Sequence, residues 1–375
     1  MRICYIADAG SIHTQKWVNY FALKGHEVHL ISFRGSEGYV EGVQLHLLTR
    51  LAPRIWAVSR YLSNLLWLIR TRNLVRRIKP DILNAHYITQ YGYLAAATGF
   101  HPFTLTPWGS DILTDPKRSS LLRALTKYAL KKADRVICVA ETGTAELLEL
   151  GVDPGKMRGI SHGIDTQQFN PQRRDERLKK EILGNLNSPT IISIRSLSSI
   201  YNMDTLIRAV PLVLREVPGA KFIIGGDGEQ KEYLQGLANS LGVLNSVNFI
   251  GWIPHNEVPR YLASSDVYVS TSLSDRCPLS LQEAMACELA PVITDIPANR
   301  EWITDGKNGF IVPIKDPQAL AERIVYLLKN EEARGRFGRE GRRVIKERAE
   351  YEREMERIEG DYRELVEKYN AGCSH

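Results

Sequence analysis

The stretch DVYVSTSLSDRCPLSLQEAMACELAPVITD, residues 266–295, carries a complete structural unit. DVYVST and APVITD are short β-branched runs, and between them Pro278 opens LSLQEAMACE, a run of good helix formers. Strand, helix and strand in so short a span make a βαβ crossover, which joins parallel strands. The pattern repeats outward in both directions. RICYIA, HEVHLISF, DILNAH, FTLTP and DRVICVA read as strands in the first half, and TIISIR, AKFIIGG and SVNFIGW join the opening pair in the second. Helices such as QKWVNYFALKG and DTLIRAVPLVLREV lie between them. The fold class is therefore α/β. A chain of 375 residues suits two domains, read here as two Rossmann-like units with parallel sheets facing across a cleft.

The expected divisions are residues 1–170, residues 171–345 and a C-terminal helical segment, 346–375, that can pack back on the first domain. The polar segment PQRRDERLKKEILGNLNSP (171–189) marks the join. The charged end, EEARGRFGREGRRVIKERAEYEREMERIEGDYRELVEKY, reads as a pair of helices packed along one face, because both signs are interspersed. Five scattered cysteines (Cys4, Cys138, Cys277, Cys287, Cys373) form no Cys-x-x-Cys, which argues against a disulfide framework or a zinc ribbon. MRICYIADAG reads as a strand rather than a leader, and no run of 18 apolar residues occurs. A cytoplasmic protein is expected, with the inner membrane face as a second option.

Charge is uneven. Residues 1–165 are net +8 and the remainder net −2. No acid occurs between Gly42 and Pro80, a span holding Arg50, Arg54, Arg60, Arg70, Arg72, Arg76, Arg77, Lys79 and the run IWAVSRYLSNLLWLIR. Residues 50–79 thus read either as a packed surface helix or as a basic amphipathic helix for an anionic membrane. Without an aromatic-interleaved basic motif, no nucleic-acid partner is expected.

Open parallel sheets bind ligands beyond the carboxyl ends of their strands, so the loops there hold the candidate chemistry. IIGGDGEQKEYL turns through Gly225, Gly226 and Gly228 into a helix but lacks the dinucleotide fingerprint, and the chain has no Walker A sequence. In DAGSIH, Gly10 and Ser11 precede a helix whose free N–H groups could meet an anion. After Pro278, the N–H groups of Leu279 and Ser280 could hold a phosphate in the same way. Glu283, one turn on, could then reach a sugar diol, while Asp275 faces whatever lies beyond the diphosphate. The same spacing also suits a buried helix following an Asp-containing turn.

Asp275 and Glu283, with seven residues between them in an EAMAC context, resemble the signature of retaining glycosyltransferase family 4. So do GHEVHLIS, DILNAH, ADRVICVAE, SHGIDTQQFNP, DTLIRAVPLV, GGDGE, VNFIGWIPHNEVPRYLASSDVYVSTS and TDIPANREWITDGKNGFIVP, which follow in the family's order along nearly the whole chain. The resemblance implies the GT-B fold. It further implies retaining transfer of a sugar, for example in polysaccharide, lipopolysaccharide or glycolipid synthesis, from a nucleotide diphosphate donor, UDP on family grounds. The acceptor would be a hydroxyl of a sugar or a lipid-linked compound, with no metal and no cofactor besides the nucleotide-sugar. It places Glu283 on the ribose, Asp275 on the donor sugar, Arg195 on the diphosphate, His86 near the reacting bond, and the backbone at Ile253 on the base. Gly10 with Ser11 would approach the donor phosphate or the acceptor, and Gly226 would approach the donor. Three departures stand out. Asp275 replaces the usual Glu, Tyr201 stands where a second phosphate-binding Lys is usual, and Glu288 replaces the Gly after the helix. A sugar-nucleotide epimerase and a non-catalytic sugar-nucleotide-binding partner are the rival readings. Asp111, in PWGSDIL, would contact substrate or cap the next helix.

Overall fold

A computed structural model describes residues 1–48, 60–139, 144–161, 163–183, 188–275 and 277–372, with the side chains of 60–64, 139 and 183 left out. Arg50, Arg54, the Arg60 side chain and Cys373 therefore lie outside the described residues. The chain divides into two compact units, Met1–Ser161 with Glu354–His375, and His162–Arg353. The sequence reading had put these divisions at 170 and 345.

The first unit is a seven-stranded sheet of β1 (Arg2–Ile6), β2 (Glu27–Ser32), β3 (Val43–Leu47), β4 (Ile82–His86), β5 (Phe103–Thr106), β6 (Arg135–Val139) and β7 (Met157–Ile160). Their order is β3-β2-β1-β4-β5-β6-β7, and every pair is parallel. The central strands are buried on both faces, as parallel sheets require: every residue of β4 and β5 is buried. The order reverses between β1 and β4, where Ile3 pairs with Val28 on one side and Ile82 on the other. Helix α1 (Ile12–Leu23) follows β1 and buries Trp17, Val18 and Phe21. Helix α2 (Arg60–Ile78) precedes β4.

The second unit is a six-stranded parallel sheet of β8 (Thr190–Ile194), β9 (Lys221–Gly225), β10 (Val247–Gly251), β11 (Val267–Ser270), β12 (Ala290–Thr294) and β13 (Phe310–Val312). Its order, β10-β9-β8-β11-β12-β13, reverses between β8 and β11. Its core joins Phe222, Ile224, Val267 and Val292 to Met203, Leu206 and Val210 of the helix Met203–Glu216.

All ten strands expected from sequence form. β3, β7 and β13 were missed, and each lies at a sheet edge, where one neighbour is absent and burial is a weaker guide. β3 has no fully buried residue and β13 is three residues long. The charged end is indeed two helices, Glu331–Arg348 and Tyr351–Gly372. The second reaches the first unit's sheet, where Tyr362, fully buried, stacks on Phe21 at 5.5 Å and receives a hydrogen bond from Asn84 of β4. Arg135 reaches Asp361 and Glu364 of the same helix, both at 3.0 Å.

Glu288, in place of the glycine after the helix Leu279–Ala286, nevertheless takes the glycine geometry, at φ 61°. Leu289 N–H bonds Ala284 O and Glu288 N–H bonds Met285 O, both at 3.0 Å, which is the Schellman closure. Arg342 satisfies a carbonyl left over at that helix end by donating to Ala286 O. The neighbouring helix approaches so closely that a Cβ on Gly338 would lie 2.0 Å from Glu288 O. Gly338→Ala should therefore destabilise the protein by about 2 kcal/mol or more, measured by urea denaturation, although alanine is the better helix former.

Candidate active site

Both sheets reverse order at the carboxyl ends of adjacent strands, the position at which α/β sheets take ligands. In the second unit this brings together the loops after β8 and β11, and with them Arg195, Asp275 and Ser280, which are up to 85 residues apart. Arg195 follows β8. Its guanidinium donates to the Asp275 carboxylate and, at 3.0 Å, to Ser280 Oγ. Ser280 Oγ in turn lies 2.7 Å from the Tyr268 hydroxyl. The Tyr201 ring centroid is 4.2 Å from the guanidinium carbon, a cation–π contact. Burial opposes the charge on Arg195, but Tyr268 and Asp275 outweigh it and hold its pKa above the ordinary value.

Glu283, buried one turn into the helix, has Oε1 3.0 Å from His255 Nε2. Among the described residues its second oxygen has no partner. The His255 ring is edge-on to Phe169 at 5.5 Å. The glycine loop after β9 has a packing reason. A Cβ on Gly226 would lie 2.0 Å from Arg195 O, and one on Gly228 would lie 2.5 Å from Leu197 O, so only glycine lets this loop close on the segment that carries Arg195. Ile253 is buried, with its side chain packed over Gly225.

Some expectations need correction. Leu279 N–H is not open to a phosphate, because it bonds Cys277 O at 2.8 Å; Pro278 takes the N-cap position and the helix starts one residue later than read. Ser280 takes part through its hydroxyl. In the first unit, the N–H groups of Gly10 and Ser11 are both turned onto Asp8, at 2.9 and 3.1 Å, so that loop does not present them to an anion. Asp111 neither caps the next helix nor reaches the surface. It is fully buried and accepts N–H groups from Ile88, Trp108 and Gly109. Burial raises its pKa to about 6 against the pull of those bonds.

His86 ends β4, buried among the rings of Tyr5, Trp17 and Trp108, whose centroids lie 4.8–5.4 Å away. Its Nδ1 is 3.4 Å from Thr14 Oγ1, and its Nε2 is buried with no hydrogen-bond partner. Burial, then the nearby His13, lowers its pKa to about 3, so the ring is neutral. It lines a cavity of about 780 Å³ together with Ser11, Trp67, Tyr87 and Trp108.

Two family profiles match the chain in sequence, "Glycosyl transferase 4-like" over residues 2–140 and "Glycosyl transferases group 1" over 174–344. The chain belongs to the group 1 glycosyltransferases. This glycosyltransferase is 25% identical to the N-acetyl-alpha-D-glucosaminyl L-malate synthase of Bacillus anthracis, over 97% of the chain and 96% of that protein. It is 27% identical to the Escherichia coli UDP-Gal:alpha-D-GlcNAc-diphosphoundecaprenol alpha-1,3-galactosyltransferase, over 69% of each. The GT-B fold is shared with the Anabaena protein HepE, solved in complex with UDP, at a TM-score of 0.79 and 17% identity over 97% of this chain and 100% of that one.

The sequence reading missed His255, Tyr268, Trp108 and the cavity's polar rim. A histidine in a loop or a tyrosine in a strand carries no local signal, and only the sheet topology brings these side chains beside the residues already named.

His86 makes stability depend on pH. Its folded pKa of about 3 lies below the ordinary 6.5, so below pH 6.5 the unfolded chain binds a proton that the folded chain refuses. Stability is then complete above 6.5 and lost as pH falls. Between pH 6.5 and 5 the wild type should lose about 2 kcal/mol relative to His86→Asn, read from denaturation at each pH. Asp111 acts in the opposite direction in both proteins and cancels from the difference.

Proposed function

We propose that this glycosyltransferase moves a sugar from a UDP-sugar to an acceptor hydroxyl with retention at the anomeric carbon. The observation that carries the reading is the Arg195 cluster: a buried guanidinium at the switch point, held on three sides and already neutralised by a carboxylate. In the donor complex, diphosphate oxygens replace Asp275 on Arg195, and the released carboxylate turns to hydroxyls of the donor sugar. Glu283, with one oxygen fixed by His255, gives its other oxygen to the ribose. UDP in the neighbouring HepE structure and UDP-Gal in the Escherichia coli relative's name support the choice of nucleotide.

As the glycosidic bond breaks, negative charge grows on the departing diphosphate. Arg195 stabilises it from a position fixed before the reaction, the kind of electrostatic preorganisation that supplies large rate effects. Tyr201, in place of a second cation, acts through its ring on Arg195. The leaving phosphate takes the acceptor's proton, so no protein nucleophile and no metal are required. Asp275 and Glu283 are then binding groups, not a glycosidase acid/base pair.

The acceptor is assigned to the first unit and to polysaccharide, lipopolysaccharide or glycolipid synthesis. Helix α2 exposes Leu65, Leu66 and Ile69 beside exposed Arg70, Arg72, Arg76 and Arg77. That face suits a peripheral position on an anionic membrane and a lipid-linked acceptor. No helix among the described residues is long and apolar enough to cross a membrane.

UDP at about 100 times its dissociation constant should stabilise the protein by roughly 2.7 kcal/mol in a thermal melt, and Glu283→Ala should remove the effect. Stabilisation by GDP or ADP instead would overturn the choice of base. UDP binding without any turnover would favour a non-catalytic partner, and donor turnover without acceptor-dependent transfer a sugar-nucleotide epimerase. Sedimentation with phosphatidylglycerol vesicles should retain the wild type and release a variant with Arg70, Arg72, Arg76 and Arg77 changed to Glu; equal retention of both removes the membrane assignment.

A further inference from the structure

The cavity of the first unit has a specific chemical character. Trp67 meets Phe33 edge-on at 4.9 Å, and Phe33 meets Tyr91 at 5.4 Å, forming one aromatic wall. Trp108, stacked on His13 at 4.6 Å and 19°, is a second aromatic element of the lining. Polar groups of the lining come from the segments after β1, β4 and β5. The Tyr87 hydroxyl lies 2.8 Å from Ser110 Oγ and 3.3 Å from the Asp115 carboxylate, which also accepts from Thr89 Oγ1 at 2.7 Å.

The backbone of this segment is strained. Tyr87 has φ 71° and Gln90 has φ 77°, and neither is glycine. Such strain costs roughly 1–3 kcal/mol per residue and gathers where a binding site needs a side chain in a set direction. The cavity wall holds a second costly feature. His86, which lines the cavity, has Nε2 buried without a hydrogen-bond partner, and a buried polar atom left so is costly.

Charge narrows the ligand class. The lining carries two carboxylates, Asp8 and Asp115, against two guanidiniums, Arg34 and Arg118, and Arg118 already lies 3.2 Å from Asp115. A small free dianion would meet as much repulsion as attraction here. Aromatic faces with a few directional polar groups suit a ring that is apolar on its faces and hydroxylated at its edge.

We propose that this cavity binds the acceptor as a neutral pyranoside, its ring against the aromatic lining and its hydroxyls on Tyr87 and Asp115. This rests on the reading of the protein as a glycosyltransferase whose first unit takes the acceptor, and it adds the acceptor's class. Tyr87 and Trp67 are specificity-determining residues.

The test is saturation-transfer NMR on the full chain without nucleotide. The probes are the methyl α- and β-pyranosides of glucose, galactose, mannose and N-acetylglucosamine, with L-malate as the acidic comparison. At least one pyranoside should receive saturation on its ring protons. Tyr87→Phe, which keeps the ring and removes one hydroxyl, should weaken it roughly fivefold. Trp67→Ala should weaken it at least as much. Stabilisation by UDP is measured on the same samples and should be unchanged in both variants. Saturation of L-malate alone, of no probe, or of a pyranoside indifferent to both substitutions would overturn the proposal. Loss of UDP stabilisation with pyranoside binding intact would instead count against the donor reading.

Discussion

Parallel pairing is the constraint on which both units depend. Each strand must be re-entered from the same end, so every connection crosses a face, and every loop that follows a strand emerges at one edge. With helices on both faces, that edge is the part of the sheet left for chemistry. The reversal of strand order then opens a gap between two of those loops. In the second unit the gap receives Arg195 from after β8 and Asp275 from after β11. In the first it lies between the loops after β1 and β4, which contribute Ser11 and His86 to the cavity lining. The same geometric rule thus built a cationic site in one unit and a cavity of mixed aromatic and polar lining in the other.

The cationic site is organised before any ligand arrives. Burying a guanidinium is costly unless it is paired and hydrogen-bonded, and Asp275, Ser280 and the Tyr201 ring meet that need. The anionic donor proposed for this site would therefore not have to create it; it would exchange with a carboxylate already there. The cost of fixing a flexible arginine has been met in folding, through glycines that let the neighbouring loop close against its backbone. The Tyr201 ring restrains that one cation but supplies no charge of its own, so it does not replace the second cation that the family resemblance implies.

The helix that carries Glu283 shows how a local rule can yield to its surroundings. A left-handed residue closes it, and glycine would be the unstrained choice. Glu288 takes that conformation nevertheless, with Arg342 donating to the helix end and Gly338 letting the next helix approach the same turn. Tertiary contacts outweigh a conformational cost of about 1–2 kcal/mol.

Alternating β-branched and amphipathic runs determined the fold class, ten of the thirteen strands and the two terminal helices, because periodicity and burial are properties of neighbours along the chain. The edge strands β3, β7 and β13 escaped because a strand with one partner need not be apolar on both faces. The spacing of Asp275 and Glu283, with Arg195 added by the family resemblance, marked the second unit's candidate site. Their partners were not legible. Whether Leu279 N–H is free, which group holds Glu283, and whether Asp111 faces solvent depend on hydrogen bonds between segments far apart in sequence. His86 was visible as a strand-end histidine, but its neutral ring, its unpartnered nitrogen and the cavity around it exist only once α1, β4 and the loop carrying Trp108 are packed together. Sequence alone determined which residues stand at the ends of strands; tertiary structure decided what each of them faces, because strand order and loop closure set those distances and neither is encoded in any one stretch of chain.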